Sequence, residues 1–351
     1  ALKPKLDDSL ALFADVILNP AFPTADFERE KRLQLARIEQ EKAQPLPMAL
    51  RVLPGLTYGK DHAYGNPLTG SGTTASVNRI TREDLIKFHS TWLRPNDATL
   101  VVAGDTTLAE MRPKIDKLFG QWRRGEMPKK NLAHVGLPEK SGIYLIDRPG
   151  ALQSYVIAGE ASLAKNNPQE IATDLMNDLV GGTFSSRLNM NLREDKHWSY
   201  GARSLFYSAK GQQPFLAVAP VQTDKTKESL VEMNKELHDF GGARPVTDAE
   251  LEAAIANRTL KLPGSRESLR SVEGTVEEMV EYGYPDDYFD TYAAKVRKLR
   301  PADINDVARS VIHPDHLIWI VVGDRAKIEA GIRAASIGEL HVIDPDGNPV
   351  Q

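Results

Sequence analysis

Apolar positions follow a helical rhythm from the first residues: ALKPKLDDSLALFADVI reads as a helix already under way at Ala1. Residues 24–42 predict a second, charge-laced helix with opposite charges four apart. The segment TREDLIKFHSTWLRPNDATLVVAGD (81–105) then runs with helical period into a proline. Proline ends a helix by removing a donor and clashing with the preceding turn. A short apolar run follows, which predicts a buried strand, and a Gly-Asp turn closes it. The same order of events recurs without gaps in RPADINDVARSVIHPDHLIWIVVGD (300–324), at an offset of 219. Asp84/Asp303, Leu85/Ile304, Pro95/Pro314, Val102/Val321, Gly104/Gly323 and Asp105/Asp324 fall in register.

The repeat extends upstream with one small gap. SLALFADVI (9–17) resembles SLVEMNKEL (229–237), and TADFE (24–28) resembles TDAELE (247–252). The latter pair is a Thr N-cap followed by an acidic first turn, as a helix start prefers. The second copy begins near Gly142, where GIYLIDRPG and QSYVIAGEAS predict strand, Pro-Gly turn and strand. A helix over about 168–180 follows, then the loop GGTFSSRL, a helix to about Lys196, and strands in WSYGARSLFYS and PFLAVAPVQT. By the same offset the first copy would begin about 80 residues before Ala1. A sheet without those strands would expose an apolar face and an open edge. The expectation is a fragment that packs on a separate N-terminal piece, or a sequence that is incomplete at its start. The fold class expected is α+β: two homologous domains, each a mainly antiparallel sheet covered by helices, with the first copy lacking its N-terminal part. The boundaries expected are 1–120 for the first domain, 121–140 for a polar linker with two prolines, and 141–351 for the complete second domain.

Composition agrees with that division. A chain of 351 residues suggests two domains at roughly 150 residues each. With 41% apolar and 26% charged residues it is neither disordered nor collagen-like. Lys and Arg number 44 against 48 Asp and Glu, a net charge of −4, so no nucleic-acid partner is expected. No cysteine occurs, which excludes disulfides, thiolate metal sites and Cys nucleophiles. No apolar run approaches the roughly 20 residues needed for a membrane span, and no leader-like pattern occurs within these residues.

The local chemistry is sparse. None of the eight histidines forms HExxH or HxxEH, the helical pairings that put two imidazoles on one face for zinc. His313 and His316 flank Pro314 at a helix-to-strand junction and read as a capped surface turn. GSG at 70–72 lacks the strand–helix context of a phosphate loop and reads as a flexible turn. No GxSxG occurs. The most informative stretch is GGTFSSRLNMNLREDKHWSYGARS (181–204). Its two glycines end one helix and permit close backbone approach, and Ser185 and Ser186 can cap the next, which carries Leu188, Leu192 and Arg193. Tyr200 follows Arg193 by seven residues, at a strand start. Such a pair could converge on a substrate carbonyl and donate to a developing oxyanion; on spacing alone, a surface Arg and a half-buried strand Tyr are the commoner outcome.

A resemblance adds to this reading. GG, TFSSRL, LRE and DKHWSYG within 181–201, the paired units at 81–105 and 300–324, FEREKRLQL (27–35), LTYGKDHAYGNPLTGS (56–71) and DPDGNPV (344–350) resemble the pitrilysin/insulin-degrading-enzyme family of zinc peptidases. This inverzincin family includes the mitochondrial processing peptidases, and the resemblance covers essentially the whole chain. It implies homologous domains, each with a largely antiparallel sheet covered by helices. It also implies a zinc site made by HxxEH and a distal Glu in the first domain. An Arg and a Tyr seven apart in the second domain bind and polarise the peptide; Arg193 and Tyr200 fit that pair.

The sequence also departs from the family pattern. An HxxEH helix would precede Ala1. The distal Glu falls on Arg37 when FEREKRLQLARI is aligned without gaps. A guanidinium has no lone pair to offer a metal. Slips in alignment offer Glu30, Glu39 or Glu41, but each breaks the apolar register of Phe27, Leu33, Leu35 and Ile38. The expectation is therefore a zinc-free half that lends Arg193 and Tyr200 to a zinc site on a homologous partner subunit or upstream half, for hydrolysis of a peptide or unfolded protein. The alternatives are a catalytically silent structural subunit, like the core proteins of respiratory complexes, and a fragment of an active zinc peptidase. Many bacterial relatives are exported, so a periplasmic setting is expected over a cytoplasmic one.

Overall fold

The structure is a computed structural model, and it describes residues 1–350. In chain order it contains α1 (Leu6–Leu18), α2 (Thr24–Lys42), α3 (Pro45–Tyr58), α4 (Thr74–Arg79), α5 (Arg82–Trp92) and α6 (Leu108–Phe119). There follow β1 (Gly142–Asp147), β2 (Gln153–Ala161), α7 (Glu170–Asn177), the single turn α8 (Arg187–Asn189), β3 (Arg203–Phe206) and β4 (Pro214–Gln222). The remainder comprises α9 (Thr226–Gly241), α10 (Asp248–Leu260), α11 (Leu269–Tyr282), α12 (Tyr288–Arg297), α13 (Pro301–Val311), β5 (Ile318–Gly323), α14 (Arg325–Ala335) and β6 (Glu339–Ile343).

Local chemistry sets the helix ends. The Thr81 hydroxyl accepts from the Asp84 N–H while the Asp84 carboxylate accepts from the Thr81 N–H, a reciprocal box that starts α5. Thr247 and Glu250 do the same for α10. Helix α13 carries Pro301 in its first turn, where a missing N–H costs nothing.

Chain contacts divide the protein into two compact units. The larger comprises Arg37–Thr73, Asn131–Lys261 and Pro285–Gln351. It holds a six-stranded sheet in the order β3-β4-β2-β5-β1-β6. Three pairings are antiparallel (β3–β4, β4–β2, β2–β5), whereas β1 runs parallel to both β5 and β6. The mainly antiparallel sheet is thus present, with a parallel margin that sequence reading did not anticipate. Helix α3 lies on one face: Met48, Ala49, Val52 and Leu53 join Ile157, Leu216, Val218, Ile320 and Val322 in one buried cluster. Gly159 makes that approach feasible, since a Cβ there would lie 2.9 Å from Leu216 and 3.0 Å from Leu53. The alternate positions Val156, Ala158, Trp319 and Val321 are also buried, and α9 and α14 pack against the sheet.

The smaller unit comprises Ala1–Ala36, Thr74–Lys130 and Leu262–Tyr284. It is helical, and residues 98–103, expected to form a buried strand, form none. Their repeat counterpart β5 is buried throughout, whereas Leu100 and Val102 are exposed. A strand is stable only with neighbours for its N–H and C=O groups, and no described strand flanks this run. The two units also trade equivalent parts of the repeat. Shifted back by the offset, Leu262–Tyr284 falls on 43–65, inside the 37–73 segment of the larger unit. One division, between Lys130 and Asn131, lies within the polar stretch 121–140, of which residues 122–138 form no helix or strand.

Candidate functional site

The site is built by a helix that loses its regular period. Helix α7 runs into a π-helical turn, Asp178–Gly182, which brings the backbone of Gly181 onto β3. A Cβ on Gly181 would lie 2.1 Å from the Ser204 nitrogen, so only glycine fits there. After a short loop, Ser186 occupies the N-cap position of α8. The expected cap bond from Ser185 or Ser186 is not made: Ser186 is buried and its hydroxyl has no partner. The ordering side chain is instead Asn189, which sequence reading passed over. Its Nδ2 donates to the Phe184 carbonyl (2.7 Å) and its Oδ1 accepts from the Ala202 N–H (3.2 Å), tying the loop to the start of β3.

A second π-helical turn, Met190–Asp195, carries Arg193. Such turns widen a helix and recur at functional positions. His197 then turns the chain with a positive φ of 58°, and its Nδ1 lies 3.0 Å from the Arg193 carbonyl. The Ser199 hydroxyl donates to Pro220 O and accepts from the Gly201 N–H, and Gln222 Nε2 donates to the His197 carbonyl. The backbone on either side of Tyr200 is therefore held, while the Tyr200 side chain, with the residue 87% exposed, has no partner among the described residues.

Arg193 and Tyr200 come together in one open depression of about 280 Å³, which Gln153, Glu194, His197, Trp198, Ser199 and Gln222 complete. The Arg193 guanidinium lies 4.6 Å above the Phe184 ring, and its Nε is 3.3 Å from Glu194. A cation over an aromatic face is held while its outer N–H groups stay available. Phe184 also lines a second depression of about 500 Å³ with Gly181, Gly201, Arg203, Tyr155 and Leu46. Phe184 and Glu194 were not singled out from sequence; an aromatic two residues after the Gly181-Gly182 pair was the available signal for the first.

The residues considered for zinc are each engaged in an ion pair. Arg37 pairs with Glu41 through its Nε at 3.3 Å. Glu41, the ligand offered by a slipped alignment, is buried and accepts from Arg51 (2.9 Å) and Ser71 (2.5 Å). Burial acts to raise its pKa, but those donors outweigh it and hold the carboxyl below its ordinary range. Glu39 pairs with Lys42, and Glu30 with Arg29. The 70–72 segment is a turn, with positive φ at Gly70 and Gly72. His316 faces the Pro138 carbonyl, but His313 does more than cap a turn. Its Nδ1 is 2.7 Å from the buried carboxylate of Glu160, which also accepts its backbone N–H.

Residues 79–258 match the family model described as "Peptidase M16 inactive domain". The chain belongs to the M16, pitrilysin-type peptidases. An uncharacterized zinc protease of Mycobacterium leprae is 27% identical over 208 residues, covering 58% of this chain and 45% of that protein. The M16 chain thus spans less than half the length of that curated relative. A crystal structure titled as a peptidase M16 inactive domain from Pseudomonas fluorescens superposes with a TM-score of 0.82 at 23% identity, over 91% of this chain and 76% of that one. The first half of the periplasmic protease PqqL from Escherichia coli gives 0.69 at 13% identity, over 97% and 77%. These structures share its fold, and the α+β architecture expected from the repeat is that of this M16 protein. No described helix is long and apolar enough to cross a membrane.

Proposed function

We propose that this chain is the zinc-free half of an M16 peptidase and presents Arg193 and Tyr200 to the scissile carbonyl of an extended peptide. The metal chemistry belongs, in this reading, to a homologous partner subunit or half. The observation that carries it is the convergence of the two side chains in one depression, with the Tyr200 hydroxyl free of other bonds. Guanidinium and phenol both donate hydrogen bonds. Aimed at an oxygen on which negative charge grows, they favour the transition state over the bound substrate. The benefit depends on excluding water, because both groups are exposed in the chain by itself. A homologous half closing over the depression supplies that exclusion.

The test is Tyr200→Phe in the assembled enzyme, scored by peptide turnover and by zinc content. Loss of one such donor lowers kcat by roughly 10²-fold while zinc stays unchanged. Equal turnover of the variant refutes the role. An assembly that never turns over peptide, whatever homologue is supplied, points to a structural subunit instead.

A further inference from the structure

The second depression adjoins the first along one face of the sheet. In the antiparallel β2–β4 pair Gln153 lies opposite Gln222 and Tyr155 opposite Pro220, consecutive positions on the same face and about 7 Å apart. Gln153 and Gln222 line the depression that holds Arg193 and Tyr200, whereas Tyr155 and Pro220 line the one of about 500 Å³. The next positions, Ile157 and Val218, are buried under α3. That helix begins at Pro45 and Leu46, so the face beyond its first turn stays only partly covered.

Phe184 joins the two depressions. The Arg193 guanidinium lies 4.6 Å above its ring, and Phe184 also lines the second depression. The residue is 61% exposed, yet its backbone is fixed, because Asn189 binds both its carbonyl and the Ala202 N–H. A wall that is already ordered lowers the cost of binding.

The lining is chiefly apolar. Leu46, Tyr155, Phe184, Val218 and Pro220 contribute to it, and no carboxylate does. Arg203 completes it: opposite Val218 at the start of β3, it is exposed and makes no ion pair among the described residues. Arg187, Arg193 and Arg258 each have a carboxylate partner. An unpaired guanidinium beside apolar walls attracts an aromatic face and repels a second cation.

We propose that the second depression is a subsite for an aromatic side chain of the peptide, within two residues of the scissile bond, and that Arg203 selects against Lys and Arg there. The proposal rests on the reading of Arg193 and Tyr200 as the groups that hold the scissile carbonyl. A peptide extended along the sheet face from that carbonyl brings a neighbouring side chain over Tyr155 and Pro220, since alternate side chains of an extended chain are also about 7 Å apart.

The first test uses the 351-residue chain alone. A capped peptide of alternating Ala and Ser with p-benzoylphenylalanine at its centre is irradiated with the chain, and the adducts are mapped by mass spectrometry. Adducts are expected at Phe184, Arg203, Val218 or Pro220, and a Phe-centred peptide should compete about tenfold or more better than a Lys-centred one. Adducts elsewhere, no adducts, or equal competition by the two peptides overturns the proposal. A Glu-centred peptide that competes better than the Phe-centred one overturns it in favour of an anion site. The second test measures kcat/KM in the assembly with a zinc-bearing homologue, for peptides carrying Phe or Lys within two residues of the cleaved bond. Tyr200→Phe is expected to lower both alike and keep their ratio, whereas Arg203→Glu removes the preference for Phe. An unchanged ratio in Arg203→Glu overturns the subsite. Unchanged turnover in Tyr200→Phe overturns instead the reading of Arg193 and Tyr200.

Discussion

Substituting Gly181 by Ala should damage the site more than any other single added methyl. The added Cβ would lie 2.1 Å from the Ser204 nitrogen and 2.7 Å from the Arg203 carbonyl carbon, both backbone atoms of β3. Neither atom can rotate away, so either the π-helical turn lifts or the edge strand shifts from β4. Inserting a methylene into a packed core costs about 1–3 kcal/mol, and a clash with backbone belongs at the upper end. For a unit of this size 1 kcal/mol moves the melting midpoint by about 2–4 °C, so a fall of roughly 6–12 °C is expected. Gly182→Ala is the internal control: its nearest neighbour, at 2.8 Å, is the side-chain nitrogen of Asn177, which can move. Thermal unfolding followed by circular dichroism compares the two. A Gly181→Ala midpoint within about 1 °C of the parent, or a larger loss for Gly182→Ala, would refute the close approach.

Other consequences follow from the same geometry. Burial raises the Glu160 pKa against the pull of His313, and the hydrogen bond that His313 donates to Glu160 raises that of His313. Groups shifted upward add stability that is complete below the unfolded pKa and lost as the pH climbs. Urea midpoints should therefore fall above about pH 6.5, and His313→Ala should flatten that slope and cost about 1–3 kcal/mol at pH 6. On the acid side, burial tends to raise the Glu250 pKa, but Arg187 and Thr247 overcome it and bring it down to about 2. That stability is present above about pH 4.5 and is lost as the pH falls towards 2. The pair is partly solvated, so Arg187→Met should remove only about 1 kcal/mol of it, read as a smaller drop in midpoint between pH 5 and pH 2.5. Leu53→Ala should cost about 2–5 kcal/mol, because Leu53 is 2% exposed in the cluster between α3 and the sheet.

Much of this arrangement could be read from sequence because its causes are local. Pro95 and Pro314 end their helices, Thr247 starts its own, and the repeat recurs at an offset of 219. The spacing of Arg193 and Tyr200 was legible too, since the turn between them is short. What escaped reading depends on partners distant in sequence. The run 98–103 has a strand's composition, yet pairing decides whether a strand forms, and β5 forms one only because β1 and β2 flank it. Asn189 and Glu160 look like ordinary polar residues until the fold brings Ala202 and His313 to them. The cap bond expected of Ser186 is absent, its buried hydroxyl being without a partner, and the loop is instead held by Asn189 at Phe184 and Ala202.

The central claim, that this half lends a phenol and a guanidinium to a site whose metal lies elsewhere, is tested most directly by reconstitution. The chain is combined with a zinc-bearing M16 homologue, and turnover of an extended peptide is measured for the parent and for Tyr200→Phe at matched zinc content. The account predicts activity in the parent assembly, about 10²-fold less in the variant, and the same zinc in both. Equal turnover by parent and variant would contradict it.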